Sequence, residues 1–181
     1  EIHAGLVTKI SGLNGAGKTT FLKLLYGLYK PLSGNVLRNF NPNKTKLSYV
    51  FQNSVFLNRT VEDNLKHVLY CKSINKSMWN SMIKKLLNYH DLYYMLKLHV
   101  NILSGGELQL LALMRSMLIN PDILFYDEPT NNLDKKNINI ITNMIKKLNH
   151  NGASIILVSH DNVFYNNLDY AELTIDKGRL V

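Results

Sequence analysis

The sequence predicts an α/β fold with a mainly parallel sheet and a helical segment let into it. Three observations carry this. Short β-rich runs alternate with helical patterns along the chain. A glycine-rich stretch, GLNGAGKT at Gly12 to Thr19, stands between a strand pattern and a helix pattern. An apolar run, ILFYDE at Ile123 to Glu128, ends in two acids as a buried strand opening onto a polar edge would.

The elements follow in order. Leu6 to Ser11 reads as a strand, Lys18 to Tyr26 as a helix, and Gly34 to Leu37 and Lys46 to Phe51 as further strands. Thr60 to Leu98 reads helical with mixed apolar spacing, the main part of a helical subdomain placed at roughly residues 53–120. Ser104 to Leu118 is a helix stopped by Asn120-Pro121, Ile123 to Tyr126 a strand, and Lys135 to Leu148 a helix ended near Asn151-Gly152. Ile155 to Val158 and Leu173 to Ile175 complete the sheet. All 181 residues read as one domain, large enough to bury a core of its own.

Bulk properties exclude several classes. A single cysteine, Cys71, forbids an internal disulfide and fits a reducing, cytosolic setting. The longest apolar run falls far short of the roughly 20 residues a spanning helix needs. The net charge of +8 comes mostly from lysines scattered singly or in pairs, Lys84/Lys85, Lys135/Lys136 and Lys146/Lys147. That distribution is a solvated basic surface rather than a nucleic-acid footprint, so no direct nucleic-acid binding is expected. The chain opens at EIHAGLVTKISG without an initiator Met or a signal-peptide pattern, as an N-terminally truncated fragment would.

GLNGAGKT fits G-x-x-x-x-G-K-[ST], placing the fold among the P-loop NTPases. Gly12, Asn14, Gly15, Ala16 and Gly17 form the loop. Gly15 and Gly17 let successive N–H groups turn inward toward phosphate oxygens, and the helix start adds its partial positive charge. Lys18 would reach the β and γ phosphates, Thr19 would ligate Mg²⁺, and Thr20 continues the nucleotide-binding run. Asp127 suits Mg²⁺, directly or through water, and Glu128 could polarise an attacking water as general base. Alone, an apolar run ending in DE is a strand entering a solvated turn; the cradle upstream gives it chemical meaning.

A second turn, LSGGELQ at Leu103 to Gln109, also opens a helix. Ser104 with Glu107 three residues on is a capping box, while Gly105 and Gly106 would let an anion approach the helix start closely. Both readings can hold. Gln52 in YVFQN and His160 after SIILVS read alone as polar surface, and Asp134 as the N-cap of the helix beginning KKNINII.

With GLNGAGKTT, Gln52, LSGGELQ, ILFYDEPTNNLD and VSHD in this order, the chain resembles the nucleotide-binding domain of ATP-binding cassette (ABC) proteins almost end to end. The resemblance implies ATP with Mg²⁺, hydrolysis, and a head-to-tail dimer with a second nucleotide-binding domain, in which Ser104, Gly105, Gly106 and Glu107 cap the nucleotide held by the partner. It implies that Gln52 touches Mg²⁺ and the attacking water, that His160 contacts the γ-phosphate, and that Asp134 belongs to the loop linking the two sites.

Some positions depart from the family. The aromatic residue that stacks on adenine would lie upstream of this chain, and His3 and the tyrosines are poor substitutes. Leu13 replaces a frequent proline, and LLALMRSML follows the signature with fewer polar residues than is usual. About fifty residues between Gln52 and Leu103, without sustained heptads, argue against the repair ATPases with long coiled coils. YVFQNSVFLNRTVEDNLKHVLY resembles importer ATPases, leaning toward tungstate or molybdate systems. The expectation is therefore a transporter ATPase on the cytoplasmic face of the cell membrane, docked on a transmembrane permease subunit. The alternative is an ABC-F type ribosome-associated translation factor, whose second cassette this chain does not show.

Overall fold

The computed structural model describes residues 2–41, 44–89, 91–129, 133–159, 165 and 168–181. Its strands are β1 (Val7–Ser11), β2 (Leu47–Val50), β3 (Ile123–Asp127), β4 (Ser154–Val158), β5 (Tyr170–Asp176) and β6 (Arg179–Leu180). They form one sheet in the order β2-β3-β4-β1-β5-β6. All neighbours run parallel except the closing β5–β6 hairpin. The helices are α1 (Lys18–Tyr26), α2 (Val61–Cys71), α3 (Lys76–Tyr89), α4 (Gly105–Met117) and α5 (Lys135–His150).

Alternation along the strands assigns the two faces. Leu124, Tyr126, Ile155 and Leu157 join the larger core with the buried residues of α2, α4 and α5. Phe125, Ile156, Val158 and Ile10 point the other way, into a smaller core with Leu22 of α1. The central strand β4 is buried at every position, as a strand covered on both faces must be. The result is a three-layer sandwich whose parallel strands end along one edge.

Between β2 and β3 the described chain is helical: α2, α3, short 3₁₀ turns at Tyr93–Met95 and Val100–Ile102, then α4. Thr60 caps α2 in a reciprocal capping box with Asp63. The next donors are satisfied from a distant loop, Val61 N–H by the Leu98 carbonyl and Glu62 N–H by that of Leu96. Asn64, buried beneath this turn, donates to the carbonyls of Leu57 and Thr60 and accepts from Leu57 N–H. Its amide is thereby paired inside an apolar core.

One expectation fails. Gly34 to Leu37 is not a strand. Gly34 takes a φ of 72°, and Leu37 is 88% exposed. Arg38 instead holds the segment against the end of α1, donating to the carbonyls of Leu24 and Leu25 at 3.1 Å each. Those carbonyls lack helical partners, and the guanidinium supplies them. The β6 strand and its hairpin, by contrast, had no sequence expectation.

Candidate functional site

The cradle is the turn from β1 into α1. Gly12 has a φ of 144°, and a Cβ there would collide with the Ile175 carbonyl oxygen on β5. Gly17, the N-cap of α1, sits in the left-handed region at φ 102°. The hairpin turn also pins the loop: Gly178 N–H donates to the Ala16 carbonyl at 3.0 Å. Lys18 is 7% exposed. Its ammonium donates to the carbonyls of Gly12 (2.8 Å) and Leu13 (3.0 Å), so the loop closes over a positive charge. Asn14 and Gly15 lie exposed on the loop, and Thr20 is exposed in the first turn of α1.

The cradle and the acidic strand end meet directly. Thr19 Oγ1 donates to Asp127 Oδ1 at 3.0 Å, across 108 residues of sequence. Asp127 is 2% exposed, and its other oxygen accepts from the Tyr49 hydroxyl at 3.3 Å. Burial, reinforced by the Asp127 charge, pushes the Tyr49 phenol well above its ordinary range, so it stays a donor. Glu128 follows with a φ of 53°, and its N–H donates to the Val158 carbonyl at 2.8 Å. A left-handed non-glycine residue here turns the chain sharply out of the strand. Tyr165 is raised mainly by burial and next by the charge of Glu128.

A buried carboxylate beside a hydroxyl is a hard-oxygen donor set that fits Mg²⁺. The single proton of the Thr19 hydroxyl is committed to Asp127, which leaves its lone pairs for a cation.

Gln52 stands two residues beyond β2, whose last residue Val50 pairs with Tyr126, immediately before Asp127. Its carbonyl accepts from Gln109 Nε2 at 3.1 Å, and the buried Tyr126 hydroxyl donates to Gln109 Oε1 at 3.4 Å. One side chain of α4 thus ties the post-β2 loop to β3. Neither Gln109 nor Tyr49 was singled out from the sequence. The LSGGELQ stretch contains the first and YVFQN the second, but their importance depends on who faces them.

At the second turn, Ser104 caps α4 and Glu107 closes the capping box. Glu107 Oε2 accepts from Ser104 N–H and Oγ, both at 2.9 Å. A Cβ on Gly106 would collide with the Asn137 side-chain amide of α5 and meet Leu133 at 3.3 Å, whereas one on Gly105 meets nothing within 4 Å among the described residues. Asp134 caps α5, accepting from Asn137 N–H at 2.7 Å. The Tyr94 phenol is raised by burial first and then by the charges of Glu107 and Asp134, which places both near it. His160 lies outside the described residues.

The cradle, Gln52 and Asp127–Glu128 therefore share the C-terminal edge of the parallel strands, where open α/β sheets hold ligands. A wide cleft of about 920 Å³ lined by Val7, Asn143, Lys146, His150 and Asp169 opens elsewhere, beside the first residue of β1. It has no part in this constellation. Among the described residues no helix is long and apolar enough to cross a membrane.

Comparison with known proteins places this geometry. Residues 1–131 match the ABC transporter family model. The chain is 35% identical over 159 residues to the molybdate/tungstate import ATP-binding protein WtpC of Methanocaldococcus jannaschii, covering 84% of this chain and 53% of the relative, about half its length. It is 31% identical over 193 aligned positions to the cell division ATP-binding protein FtsE of Streptococcus pneumoniae, covering 100% and 84% of the two chains. The lipoprotein-releasing system ATP-binding protein LolD of Buchnera aphidicola is 33% identical over 175 positions, covering 89% and 77%. An ATP-binding cassette solved as a dimer in a post-hydrolysis state with ADP and Pi superposes with a TM-score of 0.85 at 26% identity, covering 99% of this chain and 85% of that one.

Proposed function

The chain belongs to the ABC transporter family, as its ATP-binding part, and from that premise we propose that it binds Mg-ATP between two copies and hydrolyses it to drive a membrane permease. The observation that carries this reading is the Thr19–Asp127 hydrogen bond, which joins the phosphate cradle to the acidic strand end. Lys18 and the loop N–H groups bind the phosphates. Thr19 and Asp127 would hold Mg²⁺, with Gln52 completing its surroundings, and the metal would supply charge neutralisation at the phosphates. Glu128 orients and deprotonates the water, and His160, outside the described residues, is assigned contact with the γ-phosphate by the family resemblance alone. Ser104, Gly105, Gly106 and Glu107 of the second copy close the pocket, with Asp134 in the link between the two sites.

The solved dimer with ADP and Pi supports pairing of two cassettes. The importer relative supports coupling to import, with an oxyanion such as molybdate or tungstate as cargo, and a permease at the cytoplasmic membrane face would be the partner. Relatives named for cell division and lipoprotein release share the same engine, so the proposal commits to the engine before the cargo. None of these relatives supports the ribosome-associated alternative.

Glu128→Gln tests the reading. The variant should bind ATP as the parent does, accumulate as a nucleotide-bound dimer, and lose turnover by about 10²- to 10⁴-fold, the range of a lost general base. Hydrolysis at the parent rate would remove Glu128 from the reaction.

A further inference from the structure

The geometry points to Tyr49 as a positioning residue for the metal: its hydroxyl fixes the orientation of the Asp127 carboxylate and so sets the affinity of the site for Mg²⁺. This rests on the reading of Thr19 and Asp127 as the metal-holding pair. β2 and β3 are neighbours, and in their register Tyr49 lies opposite Phe125. The diagonal position two residues on, within reach of a long aromatic side chain, is Asp127. The hydroxyl takes that reach, donating to Oδ2 at 3.3 Å while Thr19 donates to Oδ1 at 3.0 Å. Each carboxylate oxygen therefore has its own donor, from a different element, and rotation of the group about its last bond would break both contacts.

The ring that carries this hydroxyl is itself held. Phe125 lies parallel to it at 6.3 Å, Phe51 packs tilted at 4.4 Å, and Tyr26 meets it edge-on at 5.4 Å. Tyr26 is the last residue of α1 and Thr19 lies in its first turn, so the two ends of that helix reach Asp127 by separate routes. A phenol locked in this way loses little freedom when the site loads, which is the condition for precise support of a ligating group. In a mere packing role the rings would matter and the hydroxyl would not.

Tyr49→Phe separates these roles, because it keeps the ring and deletes the hydrogen bond. Binding of a fluorescent, non-hydrolysable ATP analogue would be titrated with Mg²⁺ and repeated in EDTA, and Mn²⁺ occupancy counted by electron paramagnetic resonance. The half-saturating Mg²⁺ should rise about tenfold, the low end for a hydrogen bond to a charged group at this length. Metal-free nucleotide affinity should stay within about twofold of the parent, as deletion of a contact remote from the phosphates requires. Phe51→Leu, which loosens the ring cluster and leaves the hydroxyl, should raise the Mg²⁺ midpoint by less than Tyr49→Phe does. An unmoved midpoint in Tyr49→Phe, an equal loss in EDTA, or the same shift in Phe51→Leu overturns the role. If the parent binds nucleotide identically with and without Mg²⁺, the metal reading of Thr19 and Asp127 falls first and takes the role with it.

Discussion

Gly105→Ala asks whether the second turn works for its own chain or for a neighbour. Gly105 is the first residue of α4, and a Cβ built on it meets no atom of the described residues within 4 Å. Among the described residues the substitution is therefore free of collision. It also removes a glycine from a helix, which stabilises by up to about 0.5–1 kcal/mol and less at a terminus. For a domain of this size that is an upward shift in Tm of at most about 2–4 °C. If a partner's phosphate seats against this backbone, the same methyl group displaces it by about 1 Å, and a misplacement of that size can cost about 10²-fold in rate. Stability and turnover should thus move in opposite directions. Thermal unfolding monitored by circular dichroism, alongside steady-state ATP hydrolysis, measures both on one preparation. A parent-like rate in a variant that is as stable as the parent would show that nothing approaches Gly105, and the shared-pocket reading would fail. A rate that falls together with Tm would instead make the turn structural. Gly106 cannot serve as this test, because its Cβ would strike Asn137 within the same chain.

Two further outcomes follow from residues outside the site. Glu62 is held below the usual carboxylate range by hydrogen bonds to Lys66 and then Lys97. Its contribution to stability is present above the unfolded carboxylate value and is lost as pH falls through the lowered folded one; the stability gap between parent and Glu62→Gln should therefore be flat near neutrality and close in acid, read from urea midpoints at stepped pH. Arg38→Ala removes the donor to the two carbonyls at the end of α1 and should destabilise the fold by about 1 kcal/mol, without altering the Mg²⁺ midpoint of nucleotide binding.

The elements that sequence reading placed well are those whose signal is local. The cradle lies wholly within Gly12 to Thr19, and α1 runs from Lys18 to Tyr26 as its pattern requires. The meeting of Thr19 with Asp127 was legible despite their separation, because a hydroxyl after the lysine and an acid at a strand end answer one chemical need. Gly34 to Leu37 misled, because Val36 and Leu37 carry strand propensity while the decision lay with Arg38 and the carbonyls of α1. Tyr49 was illegible for a related reason. A tyrosine in a strand looks like core, and only the register against Phe125 and Asp127 gives its hydroxyl a task. Gln109 likewise needed both Gln52 and Tyr126 in place before its amide could link them.

The capping chemistry at α4 is compatible with one turn serving the fold and, on the shared-pocket reading, a partner's nucleotide. A helix start leaves four N–H groups without helical partners. The Ser104–Glu107 box consumes two of these, the Glu107 N–H and the N–H of the cap residue itself. Among the described residues the donors at the first two helical positions remain, and both belong to glycines, Gly105 and Gly106. Glu107 would repel an arriving phosphate, but its carboxylate is drawn back onto Ser104 by two hydrogen bonds, so its charge is turned toward the cap. Of the two glycines, Gly106 must be small for Asn137 and Leu133, whereas nothing in the described chain requires Gly105 to be small. The described residues of a single copy thus leave the bare position unexplained, and on the shared-pocket reading proposed above it would leave room for a phosphate carried by another copy.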